Sequence, residues 1–148
     1  MVTSASAQEW ATAISKHQTQ DRSIIFRYVS KLAPTFDRTK QPERLIIIWN
    51  YESQTGMPSL EVRQRMDELE GLLQPVVGTD GFSTLALVST GENSREWIYY
   101  TSSSDIFIEK LNETLKEQPP FPIEILSAQD PSWNTYEEFL SGLEGGHG

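Results

Sequence analysis

The chain has 148 residues, of which 37% are hydrophobic and 22% charged, and it contains no cysteine, a composition typical of a single globular domain. A chain of this length buries about 68–70% of the surface that its unfolded form exposes, so its core needs no disulfide or metal ion. The missing cysteines exclude thiol catalysis and thiolate zinc sites, and the net charge of −9 disfavours binding to a phosphate backbone.

A β-hairpin is predicted over residues 8–30. Two runs of apolar and β-branched residues, WATAISKH and RSIIFRYV, are separated by the polar QTQD, which is typical of two paired strands. Residues 30–42 contain two prolines and no periodicity, so they form a connector. The run LIIIWNY at 45–51 has apolar residues on both of its alternating faces, which predicts a strand that is buried on both sides.

A helix is predicted over residues 59–73, followed by two strands and a second helix. Val62, Met66, Leu69 and Leu73 recur at helical spacing, with Ser59 or its neighbour as the N-cap,. Residues 82–90 and 95–100 flank the turn 91–94 and predict a hairpin. Ser104 and Asp105 favour a helix start, and the helix then buries Ile108, Leu111 and Leu115,.

The last predicted strand covers residues 121–127, and Pro122 places it at a sheet edge because proline cannot donate to a ladder,. Asp130 and Pro131 favour the start of a short helix over 131–140. Trp133 and Tyr136 are three residues apart, so we expect them to lie on one face and anchor the C-terminus,. Residues 141–148 are expected to fray.

The order from residue 43 to 128 is strand, helix, strand, strand, helix, strand, which predicts an α+β fold with the split βαβ arrangement of ferredoxin-like domains. The first and third strands are then central, and both helices cover one face. The other face could be covered by a second subunit, or the N-terminal hairpin could extend or cover the sheet. We expect the apolar stripes of the two helices to pack on a sheet that contains Ile46, Ile48, Leu85, Leu87 and Ile98. The alternative, that the strands present their other faces to the helices, stays open.

Several kinds of catalytic site lack their residues. The only histidines, His17 and His147, stand in no motif, so no base is available to a serine nucleophile. Phosphate loops, paired-histidine helices and calcium loops are missing. Carboxylate pairs such as Glu68 with Glu70 are weak signals in a chain with 21 acids. We therefore expect no catalytic residue, cofactor or metal.

Aromatic residues on the two central strands are the candidates for a binding surface. Arg95, Trp97 and Tyr99 share one face of their strand, whereas Glu96 lies on the other,. Open aromatic sheets can stack RNA bases, but this part of the chain lacks the basic groove that single-stranded nucleic acid requires. Burial in the core is the common role of such residues. The remaining possibility is a protein-binding patch with an acidic rim, for which the candidates are Tyr51, Glu92, Glu96 and Trp97.

Charge is unevenly distributed along the chain. Residues 1–44 carry seven bases and four acids, a net charge of +3, whereas the rest carries five bases and seventeen acids, a net charge of −12. An acidic surface can serve solubility alone, or it can attract a basic protein segment. The sequence leaves open whether the protein is a monomer or a homodimer. The start MVTSASAQEW lacks the pattern of a leader and no segment has about 20 apolar residues, so we expect a soluble, cytoplasmic protein without membrane contact.

The motifs REWIYY and DP-x-W-x-x-Y, with RLIIIWNY, LALVST and FPIEIL between or before them, resemble the bacterial domain family of unknown function numbered six-nine-five. The resemblance runs from about IIFRYV to DPSWNTY. The hairpin and the closing DP-x-W segment are also similar to the ribonuclease E regulator B family, small acidic proteins with a ferredoxin-like core that bind the ribonuclease. This second resemblance implies a protein-binding regulator, although the long acidic extension of that family is not evident.

Two functions follow from the sequence. The first is a non-catalytic binding or regulatory module whose acidic surface meets a basic protein partner. The alternative is a small enzyme that uses carboxylates and Arg27 or Arg95 in a pocket between the sheet and the hairpin. A concave pocket with converging arginine and carboxylate groups would favour the enzyme, and a flat or convex acidic surface would favour the module.

Overall fold

The computed structural model describes residues 9–16 and 23–146. Within them the fold is α+β, with a six-stranded antiparallel sheet and three helices. The strands are β1 (Glu9–Lys16), β2 (Ser23–Lys31), β3 (Glu43–Asn50), β4 (Ser83–Gly91), β5 (Ser94–Thr101) and β6 (Ile123–Gln129), and the helices are α1 (Leu60–Val77), α2 (Ser104–Leu115) and α3 (Asn134–Gly146).

The strand order across the sheet is β1-β2-β4-β5-β3-β6. The predicted central strands β3 and β5 pair along their whole length, and β6 lies at the edge as Pro122 predicted. The N-terminal hairpin extends the sheet, because β2 pairs with β4 from Ile25 to Tyr28 and β1 forms the far edge. The predicted turn QTQD lies outside the described residues.

Two buried layers lie on opposite faces of the sheet. Helices α1 and α2 cover one face, which we call the helix side, over Leu45, Ile47 and Trp49 of β3. Ile46 packs with the opposite cluster, and Ile48 shares its face by alternation,. Ile46 and Ile48, which were expected under the two helices, therefore lie on the opposite face of the sheet. Alternation alone did not determine which face of the strand the helices cover.

Leu85 and Leu87 lie on opposite faces although they are two residues apart. Leu85 packs with the helix-side core and Leu87 with the other cluster. The register between β4 and β5 shifts between them, and such an irregularity inserts one extra residue into the alternation. Ile98 pairs with Leu87 across the two strands and lies on the same face. Of the β4 and β5 residues expected beneath the helices, only Leu85 therefore lies on the helix side.

Helix α3 covers the second face of the sheet. Phe139 contacts the rings of Phe26 and Tyr28 at centroid distances of 4.9 and 5.0 Å, and Trp133 stacks on Tyr100 at 4.1 Å. The open face inferred from the sequence is thus filled by the C-terminal segment over β2, β4 and β5, within the chain itself.

Helix ends differ from their predicted positions. Helix α1 is capped by Ser59, whose Oγ accepts a hydrogen bond from the Val62 N–H at 3.2 Å, and it continues past residue 73 to Val77 with Pro75 inside it. Because Leu73 and Val77 are both buried, packing offsets the hydrogen bond that the proline removes. Helix α2 is capped by Ser103, one residue before the predicted start.

The C-terminal helix covers 134–146, not 131–140, so most of the segment expected to fray is helical. Trp133 precedes the helix with a positive φ of 58°, a backbone conformation that ends any helical run started at Pro131. Trp133 and Tyr136 are nonetheless fully buried, which confirms that they anchor the segment on the sheet. The last strand likewise begins at Ile123 rather than at residue 121.

Candidate functional site

A cleft of about 270 Å³ lies on the helix side, between the start of α1 and the sheet extension made by the N-terminal hairpin. We call it the arginine cleft because Arg27, Arg63 and Arg95 all line it. They come from β2, α1 and β5, so only the tertiary structure brings them together. The other described lining residues are Thr12, Ile25, Met57, Pro58, Val88 and Thr90.

Glu70 of α1 ties one wall of this cleft to the sheet. Its two carboxylate oxygens accept hydrogen bonds from the Arg27 guanidinium at 2.7 and 3.0 Å, and Oε1 also accepts one from the Trp97 indole N–H at 3.0 Å. Burial would raise the pKa of Glu70, but the hydrogen bonds and charge of Arg27, with the indole bond, outweigh it and lower the pKa. The carboxylate therefore remains ionised and fully engaged.

Arg95 is the buried cation of the cleft, with 9% of its side chain exposed. Its Nε donates to Thr90 Oγ1 at 2.8 Å and its Nη1 donates to Asp67 Oδ1 at 3.4 Å. Burial lowers the pKa of Arg95, and the charge of nearby Arg27 adds to this effect, while the carboxylates of Asp67 and Glu70 oppose it. The local environment therefore compensates the charge of Arg95 only in part.

Tyr51 and Glu92, two of the predicted partner-binding residues, lie together at the end of the sheet. The Tyr51 hydroxyl donates to the Gly56 carbonyl at 2.6 Å, and its backbone N–H donates to the Asn93 carbonyl at 3.0 Å. Burial raises the pKa of Tyr51. Glu92 is exposed in the turn between β4 and β5, where its φ is 53°. Tyr51 thus braces this turn from the helix side.

Glu96 and Trp97, the other two predicted residues, point to opposite faces of the sheet. Trp97 is 1% exposed and belongs to the helix-side core, so its ring is not available as a surface anchor. Glu96 is half-buried on the other face, opposite Ile48 of β3. The four predicted residues consequently do not form one surface.

A second candidate surface lies around Glu96 and its neighbour Ile48, which is not part of the apolar cluster that α3 forms with the sheet. Ile48 is flanked in register by Glu96 on β5 and by Glu124 on β6, and Leu126 of β6 follows in the next row opposite Ile46. Glu124 is exposed and Leu126 is 54% exposed. We call Ile48, Glu96, Glu124 and Leu126 the acidic sheet face. It combines an apolar centre with two carboxylates.

Neither candidate surface has the composition of a metal centre. Among the described residues, no three histidine, aspartate or glutamate side chains are grouped so that they could hold a metal ion. Within the same residues, no helix combines the length and apolar character needed to cross a bilayer.

Sequence reasoning identified Arg27 and Arg95 but missed Arg63, Asp67 and Glu70 as parts of one site. Glu70 is a weak signal in the sequence because acids are common in this chain. The helical periodicity that placed Leu69 in the core could have oriented Glu70 toward the margin of α1. The pairing of Glu70 with Arg27, 43 residues away, has no local signal.

The family model described as "Family of unknown function (DUF695)" matches residues 8–141. None of the curated proteins matches the chain.

Proposed function

Since the chain belongs to this family of unknown function, we propose from its surface that it is a non-catalytic binding module that takes a basic, extended protein segment along the open edge of β6, beside the acidic sheet face. The observation that carries the proposal is the row of Glu96, Ile48 and Glu124 beside the open edge of β6, in which Glu124 is exposed while Glu96 and Ile48 are half-buried. The proposal includes a cytoplasmic location and a ferredoxin-like core. The adjacent strand order β4-β5-β3-β6 supports the latter,.

The edge of β6 supports an extended partner. Among the described residues β6 pairs only with β3, so its outer row of backbone N–H and C=O groups is unpaired. An added strand would complete these hydrogen bonds, as in β-augmentation. Its residues next to Glu124 and Leu126 would share their face, which favours a basic and then an apolar side chain at alternate positions.

Charge supports a basic partner in particular. The chain from residue 45 onward has a net charge of −12, and a field of this sign accelerates the approach of a cationic segment. The resemblance of the closing DP-x-W segment to the ribonuclease E regulator B family would, under this proposal, extend to a shared mode of action by protein binding. Glu92, exposed in the turn next to β5, would contribute to the same field.

The alternative, a small enzyme, is favoured by one observation. The arginine cleft is concave, and the carboxylate of Glu70 reaches Arg27 on its wall. However, Glu70 has a lowered pKa and accepts three hydrogen bonds, whereas a general base works best with a pKa near the operating pH. The described cleft lining also contains no serine, lysine or tyrosine. We therefore place catalysis second.

A labelled peptide that alternates lysine and valine tests the proposal by fluorescence anisotropy. We expect binding that weakens and slows as salt rises, because exposed charges are screened beyond about 8 Å at physiological ionic strength. The double variant Glu96→Gln/Glu124→Gln should slow association. The control Glu109→Gln/Glu113→Gln removes the same charge from exposed positions of α2 and should bind like the original protein.

Two results would contradict the proposal. Equal losses in both double variants would mean that only net charge matters and that the acidic sheet face has no specific role. Salt-independent peptide binding accompanied by tight retention of RNA would overturn the functional assignment as a whole. A peptide that alternates glutamate and valine serves as the control for backbone pairing without charge complementarity.

A further inference from the structure

The arginine cleft concentrates positive charge in an acidic molecule. Its described lining contains Arg27, Arg63 and Arg95 but no carboxylate, while the chain as a whole carries −9. Like charges brought into one concave site repel each other, and that repulsion is relieved when an anion binds between them. The acidic sheet face does not account for this grouping, since it lies on the opposite side of the sheet.

The three arginines differ in how far the protein already satisfies them. Arg27 forms a two-fold hydrogen-bonded pair with Glu70. Arg95 is held by Thr90 and Asp67 but is only partly compensated. Arg63 is exposed in the first turn of α1, and no described residue forms an ion pair or side-chain hydrogen bond with its guanidinium. As far as the described residues go, Arg63 is therefore the cation of the cleft that is available to clamp a ligand.

The remaining lining indicates the size and polarity of that ligand. A volume of about 270 Å³ lies just below the usual range of ligand sites, about 300–1,000 Å³, so the ligand is small. Ile25 and Met57 provide apolar contacts, and the Thr12 hydroxyl adds a hydrogen-bonding group. The planar guanidinium groups match carboxylate and phosphate oxygens, which they bind through paired N–H donors.

We propose that the arginine cleft binds a small organic anion, whose carboxylate or phosphate head group lies between Arg63 and Arg95 and whose short apolar body packs on Ile25 and Met57. The site is independent of the peptide surface proposed above. Arg27 is a positioning residue here, because its guanidinium is fixed by Glu70. The bound anion neutralises the part of the Arg95 charge that the protein itself leaves uncompensated.

Calorimetric titration with hexanoate, phenyl phosphate and inorganic phosphate, in a chloride buffer, tests this site. We expect one or both organic anions to bind, and inorganic phosphate to bind more weakly because it lacks the apolar body. Preference for hexanoate assigns a carboxylate ligand, and preference for phenyl phosphate assigns a phosphate ligand. Binding of neither organic anion would overturn the proposal.

Two pairs of matched variants locate the binding. Arg63→Gln should weaken binding about tenfold by removing a charge-assisted hydrogen bond. Arg65→Gln should leave binding unchanged, because Arg65, also on α1, lies over the ring of Phe121 and outside the cleft lining. Ile25→Glu should abolish binding by placing a carboxylate among the arginines. Ile14→Glu, on an exposed residue outside the lining, should not.

The two pairs also distinguish binding inside the cleft from a response to overall charge. Equal affinities of Arg63→Gln and Arg65→Gln would overturn the placement of the head group, and equal losses from Ile25→Glu and Ile14→Glu would mean that only net charge is sensed. Circular dichroism melting of each variant shows whether it is folded. Because Arg63 is exposed on a helix surface, at least one informative variant is expected to remain native.

Discussion

At the scale of single residues, Asp130 organises the C-terminal segment. Its carboxylate accepts hydrogen bonds from the Tyr100 hydroxyl at 2.7 Å and from the backbone N–H groups of Asn134 and Thr135 at 2.8 and 3.1 Å. Burial would raise the pKa of Asp130, but these hydrogen bonds outweigh it and lower the pKa. The aspartate of DP-x-W-x-x-Y is therefore a structural cap that links α3 to β5.

Asp130→Asn should lower the free energy of unfolding by about 1–3 kcal/mol, because an amide cannot accept all the hydrogen bonds of a buried carboxylate. Urea unfolding measures this loss. Glu138→Gln makes the same chemical change at an exposed position of α3 and should leave stability unchanged. If Tyr100→Phe and Asp130→Asn combine additively, the two residues are not coupled and Asp130 does not link α3 to β5.

Trp133→Ala should lower the free energy of unfolding by about 3–5 kcal/mol, the usual cost of truncating a buried aromatic residue. The indole stacks on Tyr100, and its N–H donates to the Gln41 carbonyl at 3.0 Å, so both packing and a hydrogen bond are lost. Trp10→Ala, at a tryptophan that is 41% exposed, is the control and should have a small effect. A Trp133→Ala protein with unchanged melting would refute the anchoring role.

At the scale of elements, helix α1 contributes the largest stripe to the helix-side core. Met66, Leu69, Leu73 and Val77 are each at most 1% exposed, and they recur at the spacing that predicted the helix. The same helix carries Arg63 and Glu70 along its margin toward the hairpin. Packing of α1 therefore sets both the stability of the core and the shape of the arginine cleft.

Leu69→Ala should lower the free energy of unfolding by about 2–5 kcal/mol, because the buried side chain leaves a cavity. Leu60→Ala makes the same substitution on the same helix at a residue that is 61% exposed, and it should cost far less. Urea unfolding of both variants checks the contrast. Similar losses would mean that helix propensity, and not burial, dominates the contribution of α1.

At the scale of the whole molecule, three carboxylates with lowered pKa values connect different elements. Glu43 accepts hydrogen bonds from the Ser104 N–H and from the Gln129 amide, which lower its pKa and link β3 to α2 and β6. Glu70 links α1 to β2, and Asp130 links α3 to β5. Each link depends on the ionised form.

These links predict a loss of stability in acid. A carboxyl group whose folded pKa lies below its unfolded value, about 4, contributes stability above that value and loses it as pH falls through the folded pKa. The free energy of unfolding should therefore be level near neutral pH and should fall below about pH 4.5. Urea unfolding across this range measures it, and Asp130→Asn should show a shallower decline than Glu138→Gln. A flat profile would contradict the assignment.

The local pattern determined which segments form strands and helices. Helical spacing identified α1 and α2, alternation and apolar runs identified β3 to β5, and Pro122 placed β6 at an edge. These features depend on neighbouring residues, whose periodicity reports which face is buried. Composition and charge likewise indicated one globular, acidic chain. The candidate residues Tyr51, Glu92, Glu96 and Trp97 came from the same local patterns.

Only the tertiary structure decided which faces and which distant residues meet. A register shift in β4 separated Leu85 from Leu87, and the positive φ of Trp133 moved the start of α3, because packing energy overrides local periodicity at single positions. The burial of Trp97 and the meeting of Arg27, Arg63 and Arg95 depend on contacts between elements far apart in sequence. Such contacts leave no periodic trace in one chain, so the cleft became visible only once the strands and α1 were assembled.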